Sequence, residues 1–171
     1  MVVERINLKE KEVAIMTKKY KLTHNKKEVL GHTLHQIKAL KDFGNVDKGN
    51  LGGWIESYSN LSQSGASWVY GNAMVFGNSQ VYGDAMIYGN VMVYDNARVY
   101  DKVLLYDNAC VYDNAMVSGN TEVYGGAQIF GNAMVFDTAW VSGHAQVSGY
   151  AQVCGSSSIH YRINIRENDK I

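Results

Sequence analysis

The feature that most constrains this chain is a six-residue repeat that runs without interruption from residue 69 to residue 158. The first position of each hexad is aliphatic in all fifteen copies, beginning with Val69 and Val75. The fifth position is small in almost every copy, and its two larger exceptions are Val91 and Val103. Self-similarity at a fixed period is typical of repeat architectures. The repeat therefore has to be explained before any other part of the chain.

The third position of every hexad is Gly or Asp, and the fourth is usually Asn. These residues adopt positive φ angles at low steric cost, so the pattern predicts a corner in every hexad. The residues between two corners form a very short strand, in which side chains alternate between faces. In the segment 73–75, Ala73 and Val75 are predicted to point inward and Met74 to point outward.

Three such sides make one triangular coil, and fifteen hexads make five coils. Parallel hydrogen bonding at about 4.8 Å between coils predicts a prism roughly 24 Å long. The chain contains no proline, which agrees with a ladder in which every coil needs its backbone N–H groups. The predicted fold is all-β, a left-handed parallel β-helix, that is, a triangular solenoid of hexapeptide repeats.

The flanking segments divide the chain into four parts: an N-terminal extension (1–16), an N-terminal β cap (17–54), the β-helix (55–165) and a charged C-terminal tail (166–171). Ile55 and Leu61 continue the six-residue step backward, but two additional residues separate them from Val69. The first coil is therefore expected to be irregular. Within the cap, two strands (20–23 and 33–40) are predicted around a polar turn that contains Asn25 and Gly31.

At the other end of the repeat, three isoleucines are predicted to continue the inward positions: Ile159, Ile163 and Ile165. Solenoids need caps because an open last coil exposes unpaired edges and bare core. The charged residues of the tail, which include Arg166 and Glu167, are expected to discourage stacking of one solenoid on the end of another.

The aliphatic, glycine and small positions of the hexads resemble the hexapeptide-repeat family of left-handed β-helices. The segments LHQIKALKDF (34–43), GGWIE (52–56) and NLS (60–62) are similar to small bacterial and prophage-encoded proteins related to YdcK, a group described as hexapeptide transferases. The resemblance covers about residues 17 to 160. It implies the fold and a phage or prophage setting, and it leaves the activity open.

Charge and hydropathy limit the choice of partners and compartment. The chain carries 16 basic and 16 acidic residues, but residues 1–50 have a net charge of +5 and the repeat has −5. This balance does not favour nucleic acid as a partner. No apolar run approaches the roughly 18 residues that span a bilayer, and the charged start lacks a signal-peptide core. A cytoplasmic protein without a membrane partner is predicted, in the host cytoplasm if the protein is phage-encoded. Cys110 and Cys154 fit no CxxC motif and are predicted to be reduced thiols.

Many hexapeptide-repeat proteins are acyltransferases that use acyl-CoA and a histidine as general base, a role that suits the ordinary pKa of histidine. Under this alternative, His144 and His160 are the candidate bases and acetyl-CoA the cofactor; His24, His32 and His35 lie in the cap. The repeat lacks a long inserted loop of the kind with which such enzymes build a substrate pocket. His144 is better explained as a polar corner residue.

The residue pattern does not favour a metal site or an ice-binding surface. A zinc site of the γ-carbonic anhydrase kind needs three converging histidines, which His144 and His160 alone do not supply. Asp95 and Asp113 lie three hexads apart and should stack on one edge, either to bind a cation or simply to replace glycine at the corner. Ice binding needs a threonine array, but the repeat contains only Thr121 and Thr138. No metal is predicted.

The outward second position of the hexad is aromatic in 11 of 15 copies. Grouping every third hexad places these rings on three sides: Tyr70, Tyr88, Tyr106 and Tyr124; Phe76, Tyr94, Tyr112 and Phe130; Tyr82, Tyr100 and Phe136. The other outward position adds more apolar side chains, among them Met74, Met92, Met116 and Trp140. Beyond Phe136 the second position becomes Ser or Cys.

These rings have two explanations: they stiffen the solenoid by stacking, or they form an interface, since Tyr, Trp and Met are enriched in recognition surfaces. The function predicted from sequence is a non-catalytic scaffold, without cofactor, that binds another protein and itself as a dimer or trimer. In the phage setting it would inhibit or modulate a host protein, such as a defence protein. The alternative is an acyl-CoA-dependent acyltransferase.

Overall fold

The computed structural model describes residues 18–161 and 163–171. The predicted N-terminal extension lies outside the described residues. The described chain is all-β, and it begins with the three longest strands: β1 (Tyr20–Val29), β2 (His32–Ala39) and β3 (Leu51–Ile55). Strands β1 and β2 form an antiparallel hairpin, and β3 pairs antiparallel with β2. In the part of the chain that the structure describes, no helix is long and apolar enough to cross a membrane.

The turn of this hairpin is Leu30-Gly31, where both residues have positive φ angles of 51° and 84°. The prediction that Asn25 belongs to the turn was therefore wrong. Asn25 lies within β1, next to a register shift between Leu22 and Lys26. The polar composition of this segment reflects the solvent exposure of a hairpin strand rather than a chain reversal.

In the described residues, seventeen two-residue strands follow, one for each side of the solenoid, and they stack into three parallel sheets. Face 1 consists of β4 (Trp68–Val69), β7 (Met86–Ile87), β10 (Leu104–Leu105), β13 (Glu122–Val123), β16 (Trp140–Val141) and β19 (Ser158–Ile159). Face 2 consists of β5 (Met74–Val75), β8 (Met92–Val93), β11 (Cys110–Val111), β14 (Gln128–Ile129), β17 (Gln146–Val147) and β20 (Asn164–Ile165). Face 3 consists of β6 (Gln80–Val81), β9 (Arg98–Val99), β12 (Met116–Val117), β15 (Met134–Val135) and β18 (Gln152–Val153).

Each strand pairs in parallel register with the strand three hexads further along the chain, as Leu105 does with Val123. The first-position aliphatics and the fifth-position alanines are completely or almost completely buried. The third-position residues have positive φ angles throughout the repeat; those of the five aspartates lie between 55° and 65°. The predicted parallel β-solenoid and its inward pattern are confirmed, and left-handed coiling stays a prediction.

The cap joins the solenoid through face 2, because β3 pairs in parallel with β5. In this pairing Ile55 lies opposite Val75, and in the next bridge Leu61 lies opposite Val81. Paired residues within the repeat lie three hexads apart along the chain, whereas the residues of these two pairs lie three hexads and two residues apart. This difference confirms the two additional residues that the sequence showed before Val69. The hydroxyl of Tyr20 donates a hydrogen bond to the carbonyl of Leu61 at 2.6 Å, which fastens the hairpin to the first coil.

At the C-terminal end, Ile159 and Ile165 are buried as predicted, but Ile163 is 46% exposed. Ile163 takes the position that Ala145 occupies one coil earlier, as the predicted inward step requires, but it lies in the last coil and is not buried. The charged segment 166–171 also joins the ladder. The backbone N–H of Gln152 donates to the carbonyl of Asp169, and that of Cys154 donates to Ile171, both at 2.8 Å.

Candidate interaction surface

The aromatic side chains at the second position of the hexads stack from coil to coil. On face 2, the ring centroids of Phe76, Tyr94, Tyr112 and Phe130 follow one another at 5.2, 5.0 and 5.0 Å, and the ring planes lie within 5° of parallel. On face 1, Tyr70 stacks on Tyr88 at 4.3 Å and Tyr106 on Tyr124 at 4.7 Å; on face 3, Tyr82 stacks on Tyr100 at 4.9 Å. All three sides that the sequence predicted therefore carry stacked rings.

Most of these rings are half-buried by neighbouring side chains, so stacking between coils accounts for much of the ring surface that is removed from solvent. Tyr82 remains 37% exposed, and Trp140 on face 1 is 45% exposed. Met74, Met92 and Met116 are also half-buried at the other outward position. The outer faces thus present ordered and partly accessible apolar side chains.

Phe76 differs from the rest of the predicted surface because it is only 2% exposed. The imidazole of His32 covers it, with ring centroids 5.1 Å apart. Phe76 was therefore wrongly included among the surface residues: the cap hairpin covers the first ring of face 2.

Burial, and after it the neighbouring tyrosine, cysteine or carboxylate groups, together raise the pKa of the hydroxyls of Tyr70, Tyr94 and Tyr106 to about 12. The phenols are therefore neutral hydrogen-bond donors at physiological pH. Tyr106 donates to the carboxylate of Glu122 at 3.3 Å, and Tyr88 donates to the sulfur of Met86 at 2.9 Å. These bonds hold two face 1 rings against the outward residues of the strands.

The ladder of face 3 is interrupted. Its second-position residues are Tyr82, Tyr100, Ser118 and Phe136, so one ring is missing between Tyr100 and Phe136. A cavity of about 370 Å³ occupies this place. Sequence reasoning identified the three aromatic residues and overlooked the gap, although the three-hexad alignment that groups the rings also shows Ser118 between them.

The corner aspartates have a role that the sequence did not reveal. The carboxylates of Asp95, Asp101, Asp107, Asp113 and Asp137 each accept a hydrogen bond from the backbone N–H of the corresponding corner residue one coil later, at 2.9 to 3.4 Å. Aspartate therefore replaces glycine at the corner and also satisfies a backbone donor of the next coil. Asp95 and Asp113 stack on one edge, as predicted, and are joined by such a bond.

The two candidate bases are placed differently. His160 lies one coil above Ser142 on face 1, and its Nδ1 is 2.7 Å from the Ser142 hydroxyl oxygen. His144 is exposed at a corner, in the place predicted by the polar-corner interpretation, and packs over Gly126.

The cap histidines do not join these two residues. Nδ1 of His32 is 3.0 Å from the Glu56 carboxylate, and Nδ1 of His35 is 3.2 Å from the carbonyl of Thr23. Among the described residues, no group of three His, Cys, Asp or Glu side chains is arranged to hold a metal ion. Cys110 and Cys154 are free thiols, and burial raises the pKa of Cys110.

Comparison with known proteins finds a family model that matches segments of the repeat. The model described as YdcK Beta solenoid repeat matches residues 69–83, 79–94, 85–101, 109–125 and 127–143. No curated protein matches the chain significantly. The matched segments lie on all three faces and include the rings of the aromatic ladders except Tyr106. These segments of the solenoid are therefore similar to YdcK beta-solenoid repeats.

Proposed function

We propose that this protein is a non-catalytic scaffold whose outer faces bind a partner protein. The observation that carries the proposal is the series of parallel ring stacks, because the rings are held in place before any partner arrives. Ordered side chains lose little conformational freedom on binding, and this favours affinity. Tyrosine, tryptophan and methionine, which supply these faces, are enriched in recognition surfaces.

Self-association as a dimer or trimer belongs to the same proposal, since flat solenoid faces can pack side by side. Static light scattering over a range of protein concentrations tests it. Met92→Glu introduces a charge on the aromatic half of face 2, and Gln146→Glu introduces the same charge on its polar half, three coils further along. We expect Met92→Glu to weaken association at least tenfold and Gln146→Glu to leave it unchanged.

The partner we propose is a host protein, with this chain acting in a phage or prophage setting as an inhibitor or modulator of a defence protein. The support is the resemblance noted in the sequence together with the accessible apolar faces. Affinity capture from host lysate, followed by reconstitution from purified components, identifies such a protein. A strictly monomeric chain that retains no partner in either experiment contradicts the proposal.

One observation favours a second candidate, an acyl-CoA-dependent acyltransferase. The Ser142 hydroxyl lies next to Nδ1 of His160 and would orient the imidazole, leaving Nε2 to serve as a general base. Titration of the protein with acetyl-CoA tests this candidate, with His160→Ala and His144→Ala as variants. Saturable binding and acyl transfer that His160→Ala abolishes would favour the enzyme over the scaffold.

A further inference from the structure

The gap in the aromatic ladder of face 3 forms a slot with defined walls. The ring of Tyr100 closes one end, the ring of Phe136 closes the other, and Ser118 with Gly119 lies between them. Faces 1 and 2 each carry four consecutive aromatic residues at the equivalent positions. The slot therefore belongs to face 3 and is not a general property of the repeat.

The spacing of the coils sets the width of this slot. Adjacent coils are about 4.8 Å apart, so residues two coils apart, such as Tyr100 and Phe136, are separated by roughly 10 Å. One planar group placed midway would face each ring at roughly 5 Å. The stacked pairs of this chain have centroid distances of 4.3 to 5.2 Å, so the slot has the width of a single planar group.

The charged residues that line the slot are both acidic, and Arg98 lies next to Met116 one coil earlier on the same face. Asp101 and Asp137 line it at the corner, and Oδ2 of each accepts a backbone hydrogen bond, from Gly119 at 3.1 Å and from Gly155 at 2.9 Å. Among the described residues, no donor reaches Oδ1 of either aspartate. The side chains of Met116 and Met134 form the opposite margin, and none of the nine lining residues is basic.

We propose that this slot binds the side chain of an arginine presented by a partner protein. A guanidinium is planar, stacks on aromatic faces, and carries five N–H donors that can reach carboxylate oxygens. Lysine has the charge but not the planar shape, and a neutral aromatic ring has the shape but not the charge. That the arginine belongs to a partner protein rests on the proposed function. The binding of a guanidinium group in the slot does not.

Methyl NMR of the full chain labelled at methionine tests the slot directly, because Met116 and Met134 line it and Met74 and Met92 lie on face 2. The probe is the peptide acetyl-Gly-Arg-Gly-amide, compared with the same peptide carrying lysine, citrulline or phenylalanine. Ser118→Tyr fills the gap with the missing ring. The matched control Ser148→Tyr adds a ring beyond Phe130 on face 2.

We expect the arginine peptide to shift the Met116 and Met134 methyl signals saturably and to leave those of Met74 and Met92 unchanged. The lysine and citrulline peptides should bind at least tenfold more weakly. Ser118→Tyr should abolish the shifts and Ser148→Tyr should preserve them, while both variants keep the wild-type spectrum elsewhere.

Three results would overturn the assignment: no saturable shift in the wild-type chain, an undiminished shift in Ser118→Tyr, or equal affinity for the citrulline or phenylalanine peptide. If Ser118→Tyr does not fold, Phe136→Ala removes one wall instead and should weaken binding at least tenfold. Failure of the slot leaves the association assay with Met92→Glu unaffected, so the two proposals can fail separately.

Discussion

The carboxylate of Asp113 accepts a hydrogen bond from the backbone N–H of Gly131 at 3.0 Å, across the gap between one coil and the next. Asp113 itself has a φ angle of 56°, a conformation that few residues other than glycine adopt easily. The bond compensates for this strain, because it satisfies a corner donor that a glycine at position 113 would leave to solvent. Corner aspartates thus connect consecutive coils.

Replacing Asp113 should therefore destabilise the solenoid in a graded way. Asp113→Gly relieves the backbone strain but removes the hydrogen bond, and we expect a loss of about 1 kcal/mol in the free energy of unfolding. Asp113→Ala removes the bond and keeps the strain, so its loss should be larger by about 1 kcal/mol. Urea denaturation measures both values. Asp113→Asn, which retains an acceptor oxygen, is the control and should lose least; equal stability of all three variants would contradict the capping role.

The aromatic ladder of face 2 should stabilise the chain independently of any partner. Tyr112 lies between Tyr94 and Phe130 and makes two stacking contacts, whereas Tyr82 on face 3 makes one. Each stacked pair contributes roughly 1 kcal/mol beyond burial. Tyr112→Ala should therefore cost about 1 kcal/mol more than Tyr82→Ala in urea denaturation.

A double-mutant cycle between Tyr94 and Tyr112 isolates the stacking from the burial of each ring. A coupling energy near zero would show that the rings do not stabilise one another, and would leave only the interface explanation for the ladder.

Lys19 should make stability rise with pH in the mildly alkaline range. Its ammonium group is buried and donates to the Ser67 carbonyl at 2.8 Å. Burial, followed by the charge of Lys41, lowers its pKa from 10.5 to about 8. Between these two values the unfolded chain holds a proton that the folded chain has lost, so unfolding takes up a proton and the folded state gains stability as pH increases.

The measurement is the free energy of unfolding from pH 7 to 9.5, compared between the wild-type chain and Lys19→Met. The difference should grow in favour of the wild type by about 1 to 2 kcal/mol over this range. Ionisation of tyrosines in the unfolded chain affects both proteins alike and cancels in this difference. Lys18→Met is the control and should keep the wild-type slope; a parallel pH dependence of Lys19→Met and wild type would exclude Lys19 as the cause.

The sequence predicted the solenoid almost completely because each hexad repeats the same local choice fifteen times. Within a hexad the glycine predicts the corner and the small and aliphatic residues predict the inner face of the strand, as in Gly71, Ala73 and Val75. These assignments need no information about contacts that are distant in sequence. The cap was harder to predict. Asn25 carries a turn signal, but the hairpin turns at Leu30-Gly31, since only the pairing of two strands determines where the reversal occurs.

The candidate site was predictable in part for a similar reason. The three-hexad alignment brings Tyr94 and Tyr112 together, and the structure stacks them. The covering of Phe76 by His32 depends on how the hairpin folds back over face 2, which no local pattern records. The sequence also did not predict the bond between Asp113 and Gly131. The prediction for the corner residues considered only their own φ angles and not the backbone N–H group of the corner one coil later.

The contact between His32 and Glu56 should make the cap sensitive to acid. The Glu56 carboxylate lies 3.0 Å from Nδ1 of His32 and accepts a hydrogen bond from the backbone N–H of Gly77 at 2.8 Å. Partial burial alone would raise the pKa of Glu56, but the hydrogen bonds with His32 and Gly77 and the charge of His32 lower it below its ordinary 4.5. A carboxyl group with a lowered pKa stabilises the folded chain above its unfolded value, and this contribution is lost as pH falls through the folded value.

The effect should be largest in the hairpin, because Glu56 connects β2 with the corner at Gly77. Since the carboxylate is partly exposed, we expect less than about 1 kcal/mol, measured as lower protection of β1 and β2 from hydrogen exchange, relative to the intrinsic rate at each pH, when pH falls below 4.5. Glu56→Gln should show this lower protection already at pH 6, and its protection should respond little to acid. Glu28→Gln, which alters an exposed carboxylate of the same hairpin, should behave like wild type. If Glu56→Gln keeps wild-type protection at pH 6, the cap is held by the Tyr20 and Lys19 contacts alone.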